Sequence, residues 1–208
     1  MVMKKFAFVS MLVVVDCVCA WNSVSEMETD FCVALTNSDY LLSAVFTNQL
    51  SSATNLTSAE SRCEVFMLSA IHAAQSFEVT VDERWIQEEM KMASNAVAAI
   101  GMQTNKWQYW MSRFVYAGAY ASQSDYGKSL FVMTNSLSDI SSSTCTNDSA
   151  PVCRAMLGKF EMPDIGVVEA MKVMAGMSAA AIGERKIATN YASQVAMPYR
   201  NTILEFAK

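Results

Sequence analysis

The chain has 208 residues and is acidic, with 15 Lys and Arg against 20 Asp and Glu and a net charge of −5. Binding to nucleic acid depends on clustered basic side chains that neutralise phosphates, so this chain is not expected to bind DNA or RNA. Seven Gly and three Pro are few for the length, and the abundance of Ala, Met and Leu favours helix.

Residues 1–20 have the pattern of a secretory signal peptide. Lys4 and Lys5 precede an apolar stretch from Phe6 to Val15, and a small-residue cleavage site lies directly before Trp21. An uncleaved membrane anchor is the alternative, but this stretch is shorter than the roughly 20 residues that a bilayer requires. We therefore expect a secreted, extracellular protein with a net charge of −6 and no membrane contact after cleavage.

The remaining chain divides into a lead-in helix within 21–37 and two helical units, 38–123 and 124–208. In the first unit, apolar periodicity predicts helices at about 38–51, 59–77, 82–101 and 105–122.

Capping patterns support the helix boundaries in the first unit. Thr57 with Glu60, and Thr80 with Glu83, have the spacing of capping boxes, in which two side chains satisfy backbone N–H groups at a helix start. Gly101 follows two alanines and an isoleucine, as expected of a left-handed helix stop.

The second unit carries similar signals. Helices are predicted at about 125–140 and 184–206, and Pro163 with Asp164 suits the first turn of another helix that ends at Gly183. No alternation typical of strands persists, so the predicted fold is all-α: tandem duplicated four-helix units that pack on each other as a disulfide-linked helical bundle.

Four sequence anchors, which occur in the same order in both units, indicate the duplication. Their spacing drifts, as insertions in loops would produce. The anchors are Ser38-Asp39-Tyr40 with Ser124-Asp125-Tyr126, followed by the shared apolar position Phe46 with Phe131, then Cys63 with Cys153, Phe77-Glu78 with Phe160-Glu161, and Ala98-Ala99-Ile100-Gly101 with Ala180-Ala181-Ile182-Gly183.

Four cysteines remain after signal cleavage: Cys32, Cys63, Cys145 and Cys153. An even number in an exported chain predicts two disulfides. The duplication favours Cys32 with Cys63 and Cys145 with Cys153. Sequence alone leaves the other two pairings, free thiols and intermolecular bonds open.

Two sequons predict N-glycosylation if the source is a eukaryote. Asn55-Leu56-Thr57 lies in a Ser/Thr-rich connection, and Asn147-Asp148-Ser149 lies in a loop before Pro151. Asn55 is the stronger candidate because Asp148 is unfavourable within the second sequon.

No group of residues points to catalysis, to a metal or to a cofactor, and the chain is not expected to be an enzyme. His72 is the only histidine, and its small apolar neighbours indicate a structural position rather than a catalytic one. One His and four cysteines expected to be oxidised are too few ligands for a zinc site. The adjacent Glu88 and Glu89 are interpreted as a solvated face near a helix start.

The densest aromatic cluster includes Trp107, Trp110 and Phe114, which share one helix face. Such a face usually fills a core or an interface between units. The second unit has a poorer run at the corresponding place, and this asymmetry makes the three residues the candidate ligand or partner surface. The many methionines suit an adaptable core, or the lining of a cavity for an apolar ligand.

Two segments, 41–52 (LLSAVFTNQLSS) and 171–182 (MKVMAGMSAAAI), resemble the helical domains of spider silk proteins and their secreted companions. They cover a small part of the chain. The long repetitive Gly/Ala region of silks is missing, and the aromatic cluster departs from the pattern. The resemblance implies an extracellular assembly or accessory role without catalysis.

These observations lead to two functional hypotheses. The first is a secreted, non-enzymatic structural or interaction protein of an extracellular fibre or matrix, which associates with itself or with other extracellular proteins. The alternative is a secreted carrier of a small apolar ligand in a helical cavity lined by Met and aromatic side chains.

Overall fold

The structure is a computed structural model that describes residues 58–139 and 151–208, and within these ranges it has eight α-helices and no β-strand. The helices are α1 (Ala59–Thr80), α2 (Arg84–Ile100), α3 (Trp107–Ser122), α4 (Tyr126–Ser138), α5 (Pro151–Lys159), α6 (Val167–Ala181), α7 (Arg185–Ala192) and α8 (Tyr199–Phe206). The all-α prediction is confirmed for the part of the chain described. The predicted helices at 21–37 and 38–51 lie outside it.

Helix α1 is capped by a residue next to the predicted one. The Ser58 hydroxyl accepts a hydrogen bond from the Ser61 N–H at 3.0 Å, while the predicted cap, Thr57, lies outside the described residues. The interaction satisfies one of the backbone donors that a helix start leaves without an intrahelical acceptor.

The second predicted capping box is wrong. Thr80 ends α1, and its hydroxyl donates to the Ser76 carbonyl at 2.7 Å. Glu83 precedes α2 without a side-chain capping bond. Asp82 supports the turn instead, since its Oδ1 accepts from the Arg84 N–H at 3.0 Å. The tight connection between α1 and α2 thus uses local hydrogen bonds other than those the sequence pattern indicated.

Two boundaries in the second half also differ from the predictions. Pro163 lies in a turn, and the next helix begins only at Val167 after Gly166. The predicted helix at 184–206 is two helices, because Pro198 lacks an N–H and its ring would clash with the preceding turn inside a helix. Helix α8 begins directly after this proline.

Helices α3 and α6 form the centre of the fold. Helix α3 contacts α1, α2, α4 and α6, and α6 contacts α3, α4, α5, α7 and α8. Phe114 of α3 meets Phe160 edge to face, with ring centroids 4.8 Å apart. This geometry is favourable for two aromatic rings. The core is therefore shared between the first and second halves of the described chain.

The duplication is not established by the structure and stays a prediction. Gly101 and Gly183 both have positive φ, at 59° and 81°, as helix stops that favour glycine do. The neighbouring residues differ, however, since Ile100 is 1% exposed and Ile182 is 46% exposed. Phe131, which was expected at a shared apolar position, is 65% exposed.

Candidate functional site

The three aromatic residues predicted to form a ligand or partner surface lie in the core. Trp107, Trp110 and Phe114 are all buried, and the Trp110 indole N–H donates to the Thr104 carbonyl at 3.0 Å. Of the two interpretations that the sequence left open, core packing and a ligand or partner surface, the burial of these residues agrees with core packing. They lie on the face of α3 that other helices cover, and burying large aromatic side chains there stabilises the fold.

A polar group anchors the other side of α3. Arg113 lies over the Tyr109 ring, 3.5 Å from its centroid, and donates to the Gly101 carbonyl at 3.0 Å. The Tyr109 hydroxyl donates to Asp139 at 2.6 Å. Burial, together with this hydrogen bond to a carboxylate, raises the pKa of Tyr109 to about 12. These contacts join the end of α2 and the end of α4 to α3, so their role is structural.

The pairing of Cys32 with Cys63 stays a prediction, because Cys32 lies outside the described residues. Cys63 is buried, and its thiol donates to the Gln108 carbonyl at 3.8 Å. Burial raises the pKa of Cys63 to about 12, which keeps the thiol protonated and unreactive.

The other predicted modification residues fall largely outside the described ranges. No disulfide joins two described residues. Cys153 is buried, whereas Cys32, Cys145 and the sequon residues Asn55 and Asn147 lie outside the description. The second predicted disulfide and both glycosylation sites stay predictions.

His72 lies in the contact between α1 and α2. Its ring meets Trp85 edge to face with centroids 5.9 Å apart, and its Nε2 is 3.4 Å from the Ser76 hydroxyl. Burial lowers the pKa of His72 and favours the neutral imidazole. The geometry matches the structural position expected from the sequence.

Glu89 is the clearest correction to the sequence analysis. It is 5% exposed rather than part of a solvated face, and its Oε1 accepts from the Ser122 hydroxyl at 3.2 Å. Burial, with a smaller effect from the nearby charge of Glu78, raises the pKa of Glu89 from 4.5 to about 7, although the hydrogen bond from Ser122 acts in the opposite direction. The sequence held a signal, since Glu89 has helical spacing with the buried residues Ala93, Ala96 and Ile100.

An open cavity lies where α4, α6 and α7 meet, and no sequence pattern indicated it. Its volume is 360 Å³, within the range of small-molecule pockets. None of the residues around it is a methionine, so it differs from the apolar cavity expected of a carrier. Its lining residues are Thr134, Leu137, Ser138, Lys172, Asn190, Tyr191 and Gln194.

Neither metal binding nor membrane crossing is indicated by the described residues. They contain no group of three or more His, Cys, Asp and Glu side chains that could share a metal ion. Among their helices, none has both the length and the apolar character needed to cross a membrane.

Comparisons of the chain with protein-family models, with curated proteins and with solved structures find no match.

Proposed function

We propose that this chain is a secreted, non-enzymatic interaction protein of an extracellular fibre or matrix, and that it associates through apolar side chains on its C-terminal helices. The supporting observation is the exposure of large apolar residues on α7, on α8 and in the connection between them. Met197 is 60% exposed and Phe206 is 61% exposed, and Ile187 and Leu204 are also exposed.

Helices α7 and α8 bury few of their residues against the rest of the fold, so much of their surface is exposed. Helix α8 buries only Ile203, and α7 buries only Ala188 and Ala192. Single exposed apolar residues are common on protein surfaces. Four large ones within two short neighbouring helices and their connection are the feature that favours an interaction surface.

Sedimentation velocity of the mature chain, residues 21–208, tests the proposal as self-association. We expect a concentration-dependent dimer or larger species. Phe206→Ser should weaken association about tenfold or more, because the lost apolar contact is worth at least about 1.4 kcal/mol.

Met102→Ser is the matched control, because Met102 is 71% exposed and lies just after α2, a helix that packs on α1 and α3. It should leave association unchanged. A strict monomer at all concentrations, pH values and salt levels would contradict self-association. Equal effects of the two substitutions would show that the C-terminal helices are not the contact.

A carrier of an apolar ligand stays a prediction from the sequence. The cavity found among the described residues has no methionine in its lining, so it does not match the Met-lined cavity that this hypothesis expects.

A further inference from the structure

The cavity between α4, α6 and α7 contains one charged side chain. Lys172 is half-buried, and within the described structure it makes no hydrogen bond or ion pair. Glu169, one helical turn earlier on α6, accepts the Ala196 N–H at 2.9 Å instead. The ammonium group of Lys172 is therefore available to an anion in the cavity, where partial burial strengthens such a contact.

The other polar groups around the cavity suit a ligand with several hydroxyls. The Thr134 hydroxyl donates to the Leu130 carbonyl at 2.9 Å, and the Ser138 hydroxyl donates to the Asn135 carbonyl at 2.6 Å. Each hydroxyl oxygen keeps lone pairs that can accept a hydrogen bond from a ligand.

The α7 side of the cavity contributes two amides and one aromatic residue. Asn190 and Gln194 carry side chains that can both donate and accept. Tyr191, between them in the sequence, is half-buried and presents an apolar ring with a hydroxyl at its tip. The lining is therefore mixed, because Leu137 and the Tyr191 ring place apolar surface beside these polar groups, as a sugar ring with apolar faces and polar edges requires.

We propose that this cavity binds a small carboxylate-bearing, polyhydroxylated molecule of the sugar-acid class. Lys172 pairs with the carboxylate, and the hydroxyls and amides of α4 and α7 bind the ligand hydroxyls. The volume of 360 Å³ is at the lower end of the range for ligand pockets, which favours a single sugar ring. This inference rests on the cavity and does not depend on self-association.

Titration of the mature chain with sodium glucuronate, followed by NMR chemical shifts and calorimetry, tests the proposal. We expect a Kd of about 1 mM or lower, with shifts centred on Lys172 and Tyr191. Glucose, which has the same ring without the carboxylate, should bind about tenfold more weakly or worse. Inorganic phosphate, an anion without the ring, should also bind about tenfold more weakly.

Two variants, each of which removes one positive charge, distinguish binding through Lys172 from a general effect of the protein's net charge. Lys172→Gln should weaken glucuronate binding about tenfold or more, while Lys186→Gln, at an exposed position of α7 outside the lining, should leave it unchanged. NMR spectra without ligand verify that both variants fold.

Three results would overturn the proposal. The first is no glucuronate binding up to about 50 mM. The second is equal binding of glucuronate with either glucose or phosphate. The third is wild-type affinity in folded Lys172→Gln.

Discussion

At the residue scale, Glu89 is an ionisable group on an otherwise apolar helix face. Its carboxyl group keeps one hydrogen bond, from Ser122, and loses most of its contact with water. A buried carboxylate is costly, so the folded protein retains the proton to a pH of about 7. The unfolded chain releases the same proton at the ordinary pKa, and this difference links folding to pH.

Glu89→Gln should remove most of the pH dependence of stability that Glu89 causes. Because the folded pKa is raised, the contribution of Glu89 to wild-type stability is most favourable below pH 4.5 and falls as the pH rises toward about 7, by as much as about 3 kcal/mol. The variant keeps a hydrogen-bond acceptor for Ser122 without a charge, so its stability should change less over this window and exceed that of wild type at pH 8. Urea unfolding at several pH values measures both quantities.

Glu88→Gln is the control for this prediction, since Glu88 pairs with Lys91 at 3.3 Å at the surface. It should keep the wild-type dependence on pH. The interpretation of Glu89 is wrong if Glu89→Gln also keeps the wild-type slope.

At the element scale, α6 and α8 contact closely at a glycine. A Cβ atom added at Gly176 would lie 2.7 Å from Ile203 Cδ1 and 3.0 Å from its Cγ2. Ile203 is the only buried residue of α8, so this contact determines how that helix sits against α6. The Arg185 guanidinium, at the start of α7, also donates to the carbonyl of Lys208 just after α8.

Gly176→Ala should lower the free energy of unfolding by about 1 kcal/mol. The clash with Ile203 costs about 1–3 kcal/mol, and the gain in helix propensity offsets about 1 kcal/mol of it. In an Ile203→Ala background the clash is absent, so the same substitution should stabilise the protein. Denaturant unfolding of the four proteins in this cycle measures the coupling.

Gly158→Ala provides a matched control in α5, because a Cβ atom there meets nothing within 4 Å. It should show no loss of stability in either background. Additive effects of Gly176→Ala and Ile203→Ala would contradict the close contact.

At the scale of the whole molecule, the first and second halves of the described chain are not independent. Helix α3 packs against both α4 and α6, and Phe114 with Phe160 lies at this shared centre. We therefore expect substitutions in α3 to affect the folding of both halves.

Expression of the whole chain in eukaryotic cells tests the predicted secretion and signal-peptide cleavage. We expect the protein in the medium, with an N-terminus at Trp21 because the signal peptide has been removed. We expect a glycan at Asn55 that is lost in Asn55→Gln. Intact-mass measurement with and without glycosidase reports both the removal of the signal peptide and the attachment of the glycan. Retention in the cell with residues 1–20 still attached would contradict secretion.

The sequence by itself determined the helical class, the approximate extent of α1 to α4 and the helix stop at Gly101. These depend on local propensity, periodicity and glycine geometry, which act within a few residues. The prediction of one helix over 184–206 is wrong for a local reason as well, because Pro198 lacks the N–H that a helix interior needs.

Only the tertiary structure decided which helix faces are covered. Periodicity places residues on one side of a helix axis, but it does not say whether another helix lies there. For this reason the sequence left open whether Trp110 fills the core or forms a surface, and the structure buries it. For the same reason the prediction of a solvated Glu89 is wrong, since Glu89 is buried, and Phe131, expected at a shared apolar position, is exposed. The cavity at Lys172 was also beyond prediction, because α4, α6 and α7 form it together from residues that are distant in the sequence.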